Sequence, residues 1–153
     1  MTAKTPTVIG LREWIALPDL GVVGLRAKID TGAATSALHA TDIVPFERHG
    51  KSWVRFTAHL GTLVQRRHRC EAPLVACKII KSSNGQAQTR YVIRTLLALG
   101  DRAWPVEFTL TCRKTMRYRV LLGSKALGDG HWLIDPAKTY MQDKPQMLTP
   151  GAP

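Results

Sequence analysis

Apolar positions along this chain recur at every second residue or in short unbroken runs, the spacing of strands rather than helices. Residues 8–17 form the first such run, and Pro18-Asp19-Leu20-Gly21 behind it supplies residues that set a turn. The returning segment 22–30 alternates Leu25, Ala27 and Ile29 with Arg26 and Lys28, so it reads as a half-buried strand with Asp30 at its end. Further strands are predicted at 53–56, 74–80, 91–96, 106–110 and 118–122, all rich in β-branched and aromatic residues. Ser82-Ser83-Asn84-Gly85 contains an Asn-Gly pair suited to a type I′ turn, which predicts a long hairpin with a mobile tip. Gly100-Asp101 marks another reversal, and helical spacing is confined to a turn or two at 36–40 and 124–127. The expectation is one mainly β domain over residues 1–141. A loose tail follows over 142–153, where Pro145, Pro150, Gly151 and Pro153 replace any periodicity.

A length of 153 residues gives room for a single core. Charge adds more: 22 Lys and Arg against 11 Asp and Glu leave a formal +11, a surface that draws anionic partners such as nucleic acid, ribosomes or acidic peptides. The excess is densest at Arg66-Arg67-His68-Arg69 and at Arg113-Lys114 with Arg117 and Arg119, although such runs are also what a solvated face looks like. The first residues lack the basic start and apolar stretch of a signal peptide, and no segment is long and apolar enough to span a bilayer, so a soluble cytoplasmic protein is expected. Cys70, Cys77 and Cys112 are odd in number and include no Cys-x-x-Cys pair, which indicates buried thiols and neither a disulfide framework nor a zinc knuckle.

The chemistry centres on Asp30-Thr31-Gly32-Ala33, a carboxylate at a strand end followed by a hydroxyl that can bond backbone across the turn and a glycine that permits close approach. Alone, these residues equally describe an ordinary loop corner. The second piece is Val120-Leu121-Leu122-Gly123-Ser124-Lys125-Ala126-Leu127, an apolar strand ending in Gly and entering a helical turn. Together they resemble the two halves of the retropepsin signature. Adding Thr35–Ala40, Trp53–Phe56, Val92–Thr95, Trp104–Glu107 and Leu133–Pro136, the chain resembles the bacterial retropepsin-like family labelled ATP-dependent zinc proteases, whose RimB branch partners the RimK glutamate ligases.

That resemblance implies a closed acid-protease barrel, usually a homodimer, and for the RimB branch removal of glutamates added to the C-terminal tail of a small-subunit ribosomal protein. It assigns catalysis to Asp30, Thr31 and Gly32, and substrate binding to Ala33, Ala34, Thr35 and Arg94. Arg66, Arg67, Arg69 and Arg117 are candidates to attract an acidic tail. Ala34 departs from the family, where that position is often basic. Chemistry independently asks for a dimer: aspartic peptidases use two facing carboxylates sharing one proton, and this chain has a single Asp-Thr-Gly.

No cofactor is expected. Zinc is named by the family label, yet there is no His-Glu-x-x-His, and His39, His59, His68, Cys70 and His131 show no ligand spacing. His39 is expected to be a hydrogen-bonded structural histidine, Asp135 to cap a turn before Pro136, and Glu107 and Glu13 to pair with arginines. The alternatives are a non-catalytic basic adaptor for ribosome or RNA on the same scaffold, and a general retropepsin-type endopeptidase.

Overall fold

A computed structural model describes residues 7–60, 67–81, 85–111 and 118–145. In chain order the strands are β1 (Thr7–Ile9), β2 (Arg12–Leu17), β3 (Val22–Ile29), β4 (Ser36–Arg48) and β5 (Lys51–His59). They continue as β6 (Arg67–Lys81), β7 (Ala87–Leu99), β8 (Arg102–Thr111) and β9 (Val120–Leu122) before a short helix α1 (Ser124–Asp129) and β10 (Trp132–Ile134). The first expected strand is thus two strands. They part at Gly10, where an added Cβ would stand 2.2 Å from the Lys138 carbonyl oxygen, so only glycine lets the C-terminal segment cross there. The expected turn after β2 is a single 3-10 turn over Pro18–Leu20, closed by Gly21 at φ +73°.

Residues 36–40 correct the sequence expectation, being strand and not helix. Ala37 and Leu38 bridge β9 on one side and β8 on the other, and this double ladder overrides the helical propensity of an Ala-Leu stretch. The helical turn expected at 124–127 is α1. Gly100, at φ +60°, makes the predicted reversal, bringing Leu99 opposite Arg102. β6 and β7 form the predicted long hairpin, whose Asn84 lies outside the described residues.

Eight strands form one sheet in the order β2-β3-β9-β4-β5-β6-β7-β8. β8 returns beside β4 in parallel, and β7 meets β2 at Ala16 and Ala98, so the sheet closes into the expected mainly β barrel. Alternation along each strand sends Ile15, Leu25, Ile29, Leu38, Phe56, Ile93, Phe108 and Leu122 into its interior. Each such side chain contributes about 2 kcal/mol of burial.

β1 and β10 pair separately, in parallel. Beside them Glu13 is fully buried, and here the expectation of an arginine partner fails. Its carboxylate instead accepts from the backbone N–H groups of Gly10 (2.8 Å), Met141 (2.9 Å) and Gln142 (3.1 Å). Residues 142–145, the start of the expected tail, are fastened there too: Gln142 Nε2 donates to the Val8 carbonyl and Lys144 lies over the Trp14 ring. Residues 146–153 lie outside the described residues.

Cys70 is buried as expected, and burial pushes its thiol up to about 11. Cys77 is exposed, because the β6–β7 hairpin runs out past the core, where Ile79 also stands 71% exposed; Cys112 lies outside the described residues. With Cys77 and Cys112 changed to serine, Ellman's reagent at pH 8 is therefore expected to leave the folded protein unmodified and to react only after denaturant is added. Rapid labelling of the folded variant would contradict the burial of Cys70.

Candidate active site

Asp30 follows β3 directly, and its backbone N–H donates to the Leu122 carbonyl at 2.9 Å. The turn then folds on itself. Ala33 N–H donates to the Asp30 carbonyl at 3.2 Å, and Gly32 N–H donates to Asp30 Oδ1 at 3.0 Å. The second half of the signature is bolted to this turn through backbone: Ser124 N–H reaches the Ala33 carbonyl at 2.7 Å and Lys125 N–H the Ala34 carbonyl at 3.3 Å. Between them Gly123 N–H donates to the buried Ser36 hydroxyl at 3.0 Å. A Cβ on Gly123 would sit 2.6 Å from the Thr35 carbonyl oxygen, which explains the glycine at the end of the apolar strand. Thr31 and Gly32 are exposed, and the cross-turn bond expected of Thr31 is not formed among the described residues.

A cleft of about 230 Å³ adjoins the turn. Ala34, Thr35 and Arg94, three of the predicted substrate contacts, line it together with Lys78, Glu107, Lys125 and Asp129. Arg94 is engaged: its Nη2 donates to Glu107 Oε2 at 2.6 Å, across directly opposed positions of β7 and β8. Glu107 therefore pairs with an arginine as expected, and at this exposure the pair adds at most about 1 kcal/mol. Lys78 and Lys125 escaped sequence reasoning because neither belongs to a basic run. Only the place of Lys125, two residues after Gly123 in the second half of the signature, hinted at it.

Of the arginines expected to attract an acidic tail, Arg67 and Arg69 are described, and neither lines the cleft. Arg67 and Arg69 lie on the β5 side of β6, opposite His59 and Thr57, and Arg69 Nη1 donates to the Thr57 hydroxyl at 3.0 Å. Arg66 and Arg117, with Arg113 and Lys114, lie outside the described residues. His39 is buried, its Nδ1 3.4 Å from the Thr111 carbonyl oxygen and its ring 4.5 Å from that of His59. His59 bonds Thr41 at 2.6 Å, and burial, helped by Arg67 and Arg119, holds its imidazole below the usual histidine range. Among the described residues no three His, Cys, Asp or Glu side chains converge as a zinc ion would need. Asp135 caps its turn as expected, Oδ1 accepting from Ala137 N–H at 2.9 Å. No helix among the described residues is long and apolar enough to cross a membrane.

A closed β barrel with an Asp-Thr-Gly turn at one strand end, locked onto an apolar strand, a glycine and a short helix, is the fold of a retropepsin-like aspartic peptidase. Comparison with known proteins agrees. The chain belongs to the RimB-like family, described as retropepsin-like aspartic endopeptidase RimB, which matches residues 8–145. It is 45% identical over 134 residues to a probable alpha-L-glutamate ligase of Shewanella pealeana, covering 87% of this chain and 29% of that protein. A protein of the same name from Desulfotalea psychrophila is 43% identical, with 85% of this chain and 28% of that one covered. The chain thus spans less than a third of the curated relatives it matches. The crystal structure of a Legionella pneumophila protein of unknown function superposes with a TM-score of 0.76 at 31% identity, covering 88% of this chain and 97% of that one.

Proposed function

We propose that this chain is an aspartic peptidase that acts as a homodimer in the cytoplasm and removes glutamates added to the C-terminal tail of a small-subunit ribosomal protein. The observation that carries the reading is the Asp30 turn, docked on β9 and α1 and opening beside a cleft that holds Lys78 and Lys125. Glutamate as the substrate draws support from relatives named as glutamate ligases: an enzyme that adds glutamates makes the material that such a peptidase would trim. The net +11 suits an acidic tail.

One Asp30 supplies half of the acid–base machinery, and the exposed tip at Thr31 and Gly32 leaves room for an identical turn from a second copy. In the dimer one ionised Asp30 takes a proton from a water attacking the scissile carbonyl. Its protonated mate hydrogen-bonds the carbonyl oxygen, and the leaving amine is then protonated. Incubating the purified protein with a peptide bearing a C-terminal run of glutamates is expected to release glutamate or short glutamyl peptides, with a dimer in sedimentation. Steeply salt-dependent binding to ribosomes without any release would establish the adaptor role in its place.

A further inference from the structure

Alternation along β3 puts Arg26, Lys28 and Asp30 on one face while Leu25, Ala27 and Ile29 fill the core. Strand registers widen that face. Arg12 of β2 lies opposite Lys28, Trp14 lies opposite Arg26, and Leu121 of β9 flanks Lys28 on its other side. The row then runs on from Leu121 to Ala37 and Thr109, the last of which lines the cleft. Lys28 therefore stands on the face of that row, two residues from Asp30 and three strands from the cleft-lining Thr109. A two-residue step along a strand covers about 7 Å, so its ammonium is within reach of a glutamate side chain beside the bond held at Asp30.

The charges of this wall differ from those of the cleft floor. In the cleft, Glu107 and Asp129 accompany Lys78, Arg94 and Lys125. On the β3 wall, Arg12, Arg26 and Lys28 have no ion-pair partner among the described residues, and Glu13, the acid next to Arg12, is buried on the other side and bound to backbone. Arg12 and Arg26 are also braced: their guanidinium carbons lie 5.6 and 5.7 Å from the centre of the Tyr118 ring. Three cations with Asp30 as the one carboxylate on their row keep a net positive charge, and an arriving carboxylate relieves their mutual repulsion.

We infer that this wall reads the acidic side chain adjoining the scissile bond, with Lys28 as the specificity-determining residue and Arg26 and Arg12 receiving further carboxylates of the same tail. The inference rests on Asp30 being the peptidase centre, and it names the contacts by which that centre selects glutamate over neutral residues.

The test measures fluorescence anisotropy of two labelled peptides, one ending in four glutamates and one in four glutamines, against the uncleaving Asp30→Asn protein. The same is done with Lys28→Glu, Lys28→Gln or Lys51→Glu added; Lys51 is exposed and begins β5. The glutamate peptide is expected to bind at least about tenfold tighter than its glutamine twin. Lys28→Glu should erase the difference, Lys28→Gln should reduce it, and Lys51→Glu should leave it in place. Binding unchanged by Lys28→Glu, or weakened equally by Lys51→Glu, would overturn the inference in favour of a general field effect. Cleavage by the protein with its native Asp30 separates the two levels. Lys28-dependent binding without cleavage would sink the peptidase reading and leave the recognition standing, whereas cleavage whose glutamate preference survives Lys28→Glu would sink the recognition alone.

Discussion

Asp30→Asn is expected to lower turnover by at least about 10⁴-fold while leaving the fold and the dimer intact. The asparagine Oδ1 can still accept from Gly32 N–H, and the backbone bonds from Asp30 N–H to Leu122 and from Ala33 N–H to the Asp30 carbonyl do not involve the side chain. What disappears is the exchangeable proton and the negative charge. Neither a general base for water nor a donor that alternates with it survives when both subunits carry the amide. The loss should reside in kcat, with peptide affinity kept, because the charged wall on β3 is untouched. Circular dichroism and sedimentation check the fold, and single-turnover hydrolysis checks the chemistry; residual activity within a factor of ten would exclude Asp30 from catalysis.

Glu13→Ala is expected to cost about 3 kcal/mol of stability, the largest loss among single side-chain changes away from the apolar core. The carboxylate gathers three backbone N–H groups from segments far apart in the chain, and truncation leaves that of Gly10 without an acceptor in a buried place and those of Met141 and Gln142 in part-buried ones. Glu13→Gln keeps one acceptor oxygen and should fall between the two. Denaturant melts of the three proteins give the ranking, and limited proteolysis should show residues 135–145 cut first in the alanine variant. A loss below about 0.5 kcal/mol would mean that the clasp contributes little.

The sequence announced the barrel strands that alternate or carry β-branched runs, because β3, β7 and β8 each present one face to the core and one outward. It misread 36–40, whose Ala-Leu composition favours helix until two neighbouring strands supply ladder partners. It could not reveal that Gly10 splits the first strand, since the cause is a crossing by Lys138 and Thr139 from the other end of the chain. Within the site, Asp30 and the Gly123 segment were legible because their residue types are constrained locally. The Arg94–Glu107 pair was only half legible, glutamate being expected to find some arginine, and strand register alone chose which. Basic runs misled in the opposite direction: Arg67 and Arg69 are prominent in the sequence yet stand opposite His59 and Thr57, whereas Lys78, between apolar neighbours on β6, reaches the cleft by pleat and register, and Lys125 reaches it through the docking of α1 on the Asp30 turn.

The clasp at Glu13 also sets a schedule for synthesis. Its acceptor leaves the ribosome early, and the N–H groups of Met141 and Gln142 emerge only after more than a hundred further residues, as does the β10 strand that β1 needs. Because such distant closures must overcome loop entropy before any contact rewards them, the seam beside the barrel, where β1 meets β10 and Glu13 meets residues 141–142, stays open until those segments arrive. The clasp therefore locks only once residues 141–142 have emerged, and a chaperone would find its opportunity at that seam.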